Sequence, residues 1–64
     1  MFKIPKGQTL WLTVSDAKGN PMKVVTSDAA RLKYYLYLVR GGKLEKVKTG
    51  ASPAAFKDEI GEFL

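Results

Sequence analysis

A chain with no histidine and no cysteine lacks the side chains that most often shuttle protons, attack carbonyls or bind zinc near neutral pH. Its remaining polar groups have structural explanations. Ser15, Ser27 and Ser52 each fall at a turn or helix-cap position. Asp16 shares its segment with Gly19 and Asn20 but lacks the acidic spacing of a calcium loop. Asp58, Glu59 and Glu62 read as solvated charges on a helix surface, and Gly41-Gly42 lacks the pattern of a phosphate-binding loop. No catalytic, metal or cofactor site is expected. Enzymatic activity would require residues donated by another subunit.

The residue types that remain can bind. With a two-residue loop at Gly41-Gly42, Arg40 pairs with Lys43, Val39 with Leu44, Tyr37 with Lys46, Leu36 with Val47 and Tyr35 with Lys48. One face of that hairpin then collects Leu32, Tyr34, Leu36, Leu38 and Val47 as core. The other collects Lys33, Tyr35, Tyr37, Lys46 and Lys48. Tyrosines interleaved with lysines on an open sheet suit single-stranded nucleic acid, because rings stack on bases at about 1–3 kcal/mol each while ammonium groups meet phosphates. Arg40 and Lys43 extend the cationic set to the hairpin tip. Trp11, opposite Leu10, Leu12 and Val14 in its strand, is a further candidate anchor. A Lys/Tyr alternation is also what a solvated sheet face contains, and tyrosine is enriched at protein interfaces. The patch depends on register, since a slip of one residue moves every side chain to the opposite face.

The elements that must position these residues follow from periodicity. TLWLTV (9–14) alternates as a half-buried strand, SDAKGNP is dense in turn formers, and MKVVT (22–26) returns as its partner. Residues 31–49 form the second hairpin. A helix from about Asp28 to Val39, capped by Ser27 or Asp28, also fits the stripe Ala29, Leu32, Leu36 and Val39. Three tyrosines within four positions favour strand. At the C-terminus, Ser52 suits a helix cap, Pro53 the first helical position, and Phe56, Ile60, Phe63 and Leu64 recur on one helical stripe. So short a helix must lay that stripe on the sheet. The predicted fold is α+β and β-rich. Two hairpins make a small antiparallel sheet or partly open barrel, with a C-terminal amphipathic helix packed on it, in one domain spanning 1–64.

The net charge of +5 is unevenly placed. Arg31, Lys33, Arg40, Lys43, Lys46 and Lys48 face Glu45 alone across residues 31–48, so an anionic partner is expected there. The first ten residues lack the apolar run of a secretory signal, and nothing approaches the roughly 18 apolar residues of a membrane span. A cytoplasmic protein without membrane contact is the expectation, and Met1 suggests a complete small gene product. At 64 residues the core supplies only about 3–5 kcal/mol, which gives the chain reason to dimerise through an exposed strand edge.

LTVSDAKGNP (12–21) resembles the strand-turn of bacterial immunoglobulin-like repeats, but the chain is far shorter than the ~100 residues that fold needs. The order hairpin, hairpin, C-terminal helix in a basic, cysteine-free chain is similar to that of small archaeal chromatin proteins. That resemblance implies duplex DNA bound on a sheet, with Trp11, Lys33, Lys46 and Lys48 in the contacting roles. The expected function is a small basic module binding nucleic acid non-specifically through Lys33, Tyr35, Tyr37, Arg40, Lys43, Lys46, Lys48 and Trp11. The alternative is a protein–protein interaction module, such as an inhibitor, an assembly or accessory subunit, or a homodimer.

Overall fold

Both predicted hairpins form, and they join into one open four-stranded antiparallel sheet of order β1-β2-β3-β4. The computed structural model describes residues 2–61. β1 (Gln8–Ser15) and β2 (Pro21–Asp28) are joined by a loop that Asp16 organises. Its Oδ1 accepts the backbone N–H groups of Lys18 and Asn20, both at 2.9 Å, while Gly19 takes a positive φ of 85°. β3 (Tyr34–Arg40) and β4 (Lys43–Gly50) are joined by Gly41-Gly42 at φ 56° and 79°. Positive φ at both central residues defines the type I′ turn that matches strand twist, which explains the paired glycines. The sheet stays open; it does not close into a barrel.

Residues 28–39 are strand from Tyr34 onward and not helix. Residues 29–33 form the connecting turn, and Asp28 closes it. Its carbonyl accepts the Arg31 N–H, and its Oδ1 accepts the N–H of Leu32 at 2.8 Å. Leu32 therefore sits in the turn at 71% exposure, outside the core where the alternation had placed it.

Residues opposite one another in antiparallel strands share a face, so the pairing assigns the two sides of the sheet. On one side Val25, Tyr34 and Leu36 are buried against Phe56 and Ile60, with Leu12 and Val14 partly buried beside them. Phe56 closes a 3-10 turn (Pro53–Phe56) that runs into α1 (Lys57–Ile60). Pro53 opens the turn as expected. Ser52 has the extended backbone of a cap but makes no side-chain capping bond; its carbonyl instead accepts the Ala55 N–H. Phe63 and Leu64, the rest of the expected apolar stripe, lie outside the described residues. Gly50, at the end of β4, lets the turn approach the sheet: a Cβ there would collide with the Ala55 Cβ. Gly50→Ala is expected to cost about 1–3 kcal/mol, the range for overpacking, read as a lower urea midpoint with unchanged slope.

The second face is covered as well, by a segment for which periodicity gave no role. Val24 and Thr26 are fully buried there and Tyr37 nearly so, at 6% exposure. Phe2, Ile4 and Pro5 are partly buried. Phe2 shares a depression with Pro21, Val39 and Gly41, and Lys3 and Pro5 share one with Tyr37 and Leu44. Residues 2–7 thus lie along this side as a strap. Gln8, where the strap enters β1, accepts hydrogen bonds at its Oε1 from Thr26 Oγ1 (2.6 Å) and Tyr37 Oη (2.8 Å).

Candidate nucleic-acid interface

The turn at Gly41-Gly42 sets the register as expected as far as Tyr37. Arg40 pairs with Lys43, Val39 with Leu44 and Tyr37 with Lys46. A β-bulge then inserts Val47, so that Leu36 pairs with Lys48 and Tyr35 with Thr49. That one extra residue divides the predicted patch. Lys46 stays on the side of Tyr35, while Lys48 passes to the helix-covered side. Val47, expected in the core, is left 46% exposed as the bulged residue.

Lys48 has acquired a different partner. Its Nζ lies 2.7 Å from Glu59 Oε1 on α1. The hydrogen bond from Lys48 holds the Glu59 carboxyl below its ordinary range, and the same bond raises the lysine. Lys23 adds a second tie across the sheet, its Nζ donating to the Glu59 carbonyl at 3.2 Å. A depressed carboxyl contributes stability above its unfolded pKa, about 4.3 for glutamate, and that contribution is lost as pH falls through the lower folded value. Thermal melts from pH 6 to pH 2 should therefore show a steeper loss of stability for the parent than for Glu59→Gln. Parallel curves would mean that the ion pair does not hold the helix.

Tyr37 is likewise removed from the surface. It lies on the predicted face, but its ring is buried under the strap and its hydroxyl is committed to Gln8. Trp11 is not on that face. It is the extra residue of a bulge between Leu10↔Thr26 and Leu12↔Val25, and its ring meets Tyr34 edge-on at 6.0 Å between centroids. Tyr34 belongs to the helix-covered core, so Trp11 (39% exposed) and Tyr35 look out from opposite sides. Arg40 is paired with Glu45 at 3.4 Å near the hairpin tip, with both side chains largely solvated.

Lys33, Tyr35 and Lys46 are brought together. They line one open depression with Leu32, Thr49, Gly50 and Ala51, and the Lys46 ammonium stands 5.7 Å from the centroid of the Tyr35 ring. That distance is within cation–π range, worth about 0.5–1 kcal/mol at an exposed site. Tyr35 is the half-buried member of the tyrosine trio and shares this depression with Lys33, Lys46 and the exposed Leu32. Further along the same hairpin, Lys3 on the strap flanks a second depression with Pro5 and Leu44. Lys43, whose pairing with Arg40 puts it on the helix-covered side, borders that depression only at the hairpin tip beside Gly42. Lys3 was missed because the strap has no strand or helix period to place it. Leu32 and Thr49 were missed because the Asp28 turn and the Val47 bulge are not visible as periodicity.

No helix among the described residues is long and apolar enough to cross a membrane. Comparison of the chain with protein-family models, with curated proteins and with solved structures gave no match.

Proposed function

We propose that this protein is a small non-enzymatic binding module that takes single-stranded nucleic acid along the β3–β4 hairpin. The observation that carries the reading is the depression in which Lys33 and Lys46 flank the part-exposed ring of Tyr35. A base stacks on Tyr35 as the Lys46 ammonium leaves the ring face, and Lys46 and Lys33 take the adjoining phosphates. Lys3 on the strap continues the cationic track, and Lys43 reaches it from the hairpin tip. Arg40, Lys48, Tyr37 and Trp11 are not part of this reading, because each is paired, buried or on the other side. The duplex DNA contact implied by the chromatin-protein analogy loses its support with Trp11, which does not share the lysine-bearing face.

Four phosphate contacts by Lys3, Lys33, Lys43 and Lys46 give a slope of log K against log salt near −3, at about −0.7 per contact for single strands. Fluorescence anisotropy with a short labelled oligonucleotide across a salt series measures it. A slope near zero, or no binding at low salt, contradicts the reading. The second reading, a protein-interaction module, is favoured by exposed apolar residues on the opposite flank: Leu10, Trp11 and Met22 at 46%, 39% and 46% exposure.

A further inference from the structure

The two edges of the sheet are built differently. β4 carries Lys43, Glu45, Lys46 and Lys48 as well as the Val47 bulge, the usual means by which an edge strand resists pairing with another chain. β1, QTLWLTVS, carries no charged residue. It is also incompletely covered on both faces. None of its residues is buried, Leu12 and Val14 are only half covered on the helix side, and Leu10 is 46% exposed on the other.

We infer that β1 is a self-pairing edge and that its occupant is the β1 strand of a second copy, antiparallel, forming one continuous eight-stranded sheet. This goes beyond the nucleic-acid reading, does not depend on it, and names the occupant that the protein-interaction reading leaves open.

The charge distribution selects a second copy paired in this way. Exposed Lys6 precedes the strand and exposed Asp16 follows it. Antiparallel pairing sets each Lys6 beside the Asp16 end of the other copy, whereas parallel pairing would set lysine against lysine. The cationic hairpins then lie at the two outer ends, with β4 strands roughly 34 Å apart at about 4.8 Å per strand. That is several Debye lengths at physiological ionic strength, about 8 Å each, so a chain of net charge +5 can pair here with little repulsion. Pairing through β4 would bring the lysines together.

Face matching fixes the register. The bulge turns Trp11 toward Tyr34, on the same side as Leu12. With Trp11 opposite Leu12 of the second copy, Leu10 falls opposite Thr13 and Thr9 opposite Val14. Leu10 and Thr13 both lie on the strap side, through Thr26 and Val24. Thr9 and Val14 both lie on the helix side, through Ser27 and Lys23. Every pair shares a face, as antiparallel neighbours must. The arrangement is isologous and closes at two copies.

The absence of native cysteine makes the test direct. In Leu10→Cys/Thr13→Cys, mild oxidation should give a covalent dimer, because opposite Cβ atoms lie within about 4.5–5.5 Å, close to disulfide reach. Val47→Cys on the β4 edge serves as the control. Sedimentation equilibrium of the parent should show mass rising toward twice that of the chain with concentration. Leu10→Lys, a change at a half-exposed position, should weaken the association at least tenfold while leaving the circular dichroism spectrum and oligonucleotide affinity unchanged. A parent that stays monomeric at its highest soluble concentration overturns the inference. So does cross-linking at Val47 as efficient as at the β1 pair, or an undiminished dimer in Leu10→Lys.

Discussion

Phe56→Ala is expected to leave the chain without a cooperative thermal transition. Phe56 is fully buried and sits with Ile60, Leu36, Val25 and Tyr34 in the cluster that joins the C-terminal turn and helix to the sheet. Truncating a buried phenylalanine to alanine costs about 3–5 kcal/mol through lost transfer energy and the cavity left behind. A chain of this size has about 3–5 kcal/mol in total. The single substitution therefore matches the whole stability, where in a larger domain it would only lower the melting temperature. α1 has four residues, too few to persist in water without the sheet beneath it. Far-UV circular dichroism against temperature, with Phe56→Leu as a volume-conserving comparison, checks this. A cooperative melt near the parental temperature for Phe56→Ala would show that the helix contributes little to the core.

The largest functional effect is expected at Tyr35. Replacing its ring with alanine removes the proposed stacking platform and should weaken oligonucleotide binding by about 1–3 kcal/mol, roughly a five- to 150-fold rise in Kd, with little change in the salt slope. Lys33→Gln/Lys46→Gln should act in the other way, lowering affinity and reducing the magnitude of the slope by about 1.4, two contacts at about 0.7 each. Tyr37→Phe provides the contrast. It deletes a hydroxyl that Gln8 accepts under the strap and should change stability by about 1 kcal/mol while leaving affinity per folded chain unaltered. If Tyr37→Phe and Tyr35→Ala lowered affinity equally, the binding surface would extend beneath the strap.

These contrasts also mark how far the sequence alone can be read. The strands, their pairing into two hairpins and the two-residue turn follow from local signals: the alternation of Leu10, Leu12 and Val14, the turn formers from Asp16 to Pro21, and the paired glycines whose positive φ fits the type I′ loop. Lys46 was legible because it pairs with Tyr37 before the interruption, and Tyr35 because the Val47 bulge lies in the partner strand and leaves the alternation of β3 intact. Lys33, expected on that strand, sits in the turn before it and borders the same depression from there. Tyr35↔Lys48 was mispaired because the inserted Val47 has no compositional mark. A bulge shows only in the partner strand's register. Trp11 was misplaced for the same reason, since strict alternation cannot accommodate an extra residue in β1.

Tyr37 was misjudged on different grounds. Its face was assigned correctly, but a segment with no secondary-structure period, residues 2–7, covers it. Nothing in MFKIPKG distinguishes a strap from a frayed terminus before the burial of Val24, Thr26 and Tyr37 is seen. Leu32 failed for a local reason. The Asp28 carboxylate accepts the Leu32 N–H and ends the extended run, so β3 begins three residues later than alternation suggests.

In the proposed binding mode, single-stranded nucleic acid runs along the narrow track of Lys33, Tyr35 and Lys46, extended by Lys3 and, at the hairpin tip, Lys43. A heteronuclear NMR titration of the isotopically labelled chain with a short single-stranded oligonucleotide tests it most directly, carried out at low and at moderate salt. Dose-dependent shifts are expected at Lys33, Tyr35 and Lys46, extending to Lys43 and Lys3 and shrinking as salt rises, with Trp11 and Lys48 unmoved. Shifts centred on Trp11 and Leu10, or no shifts at either salt concentration, would contradict it.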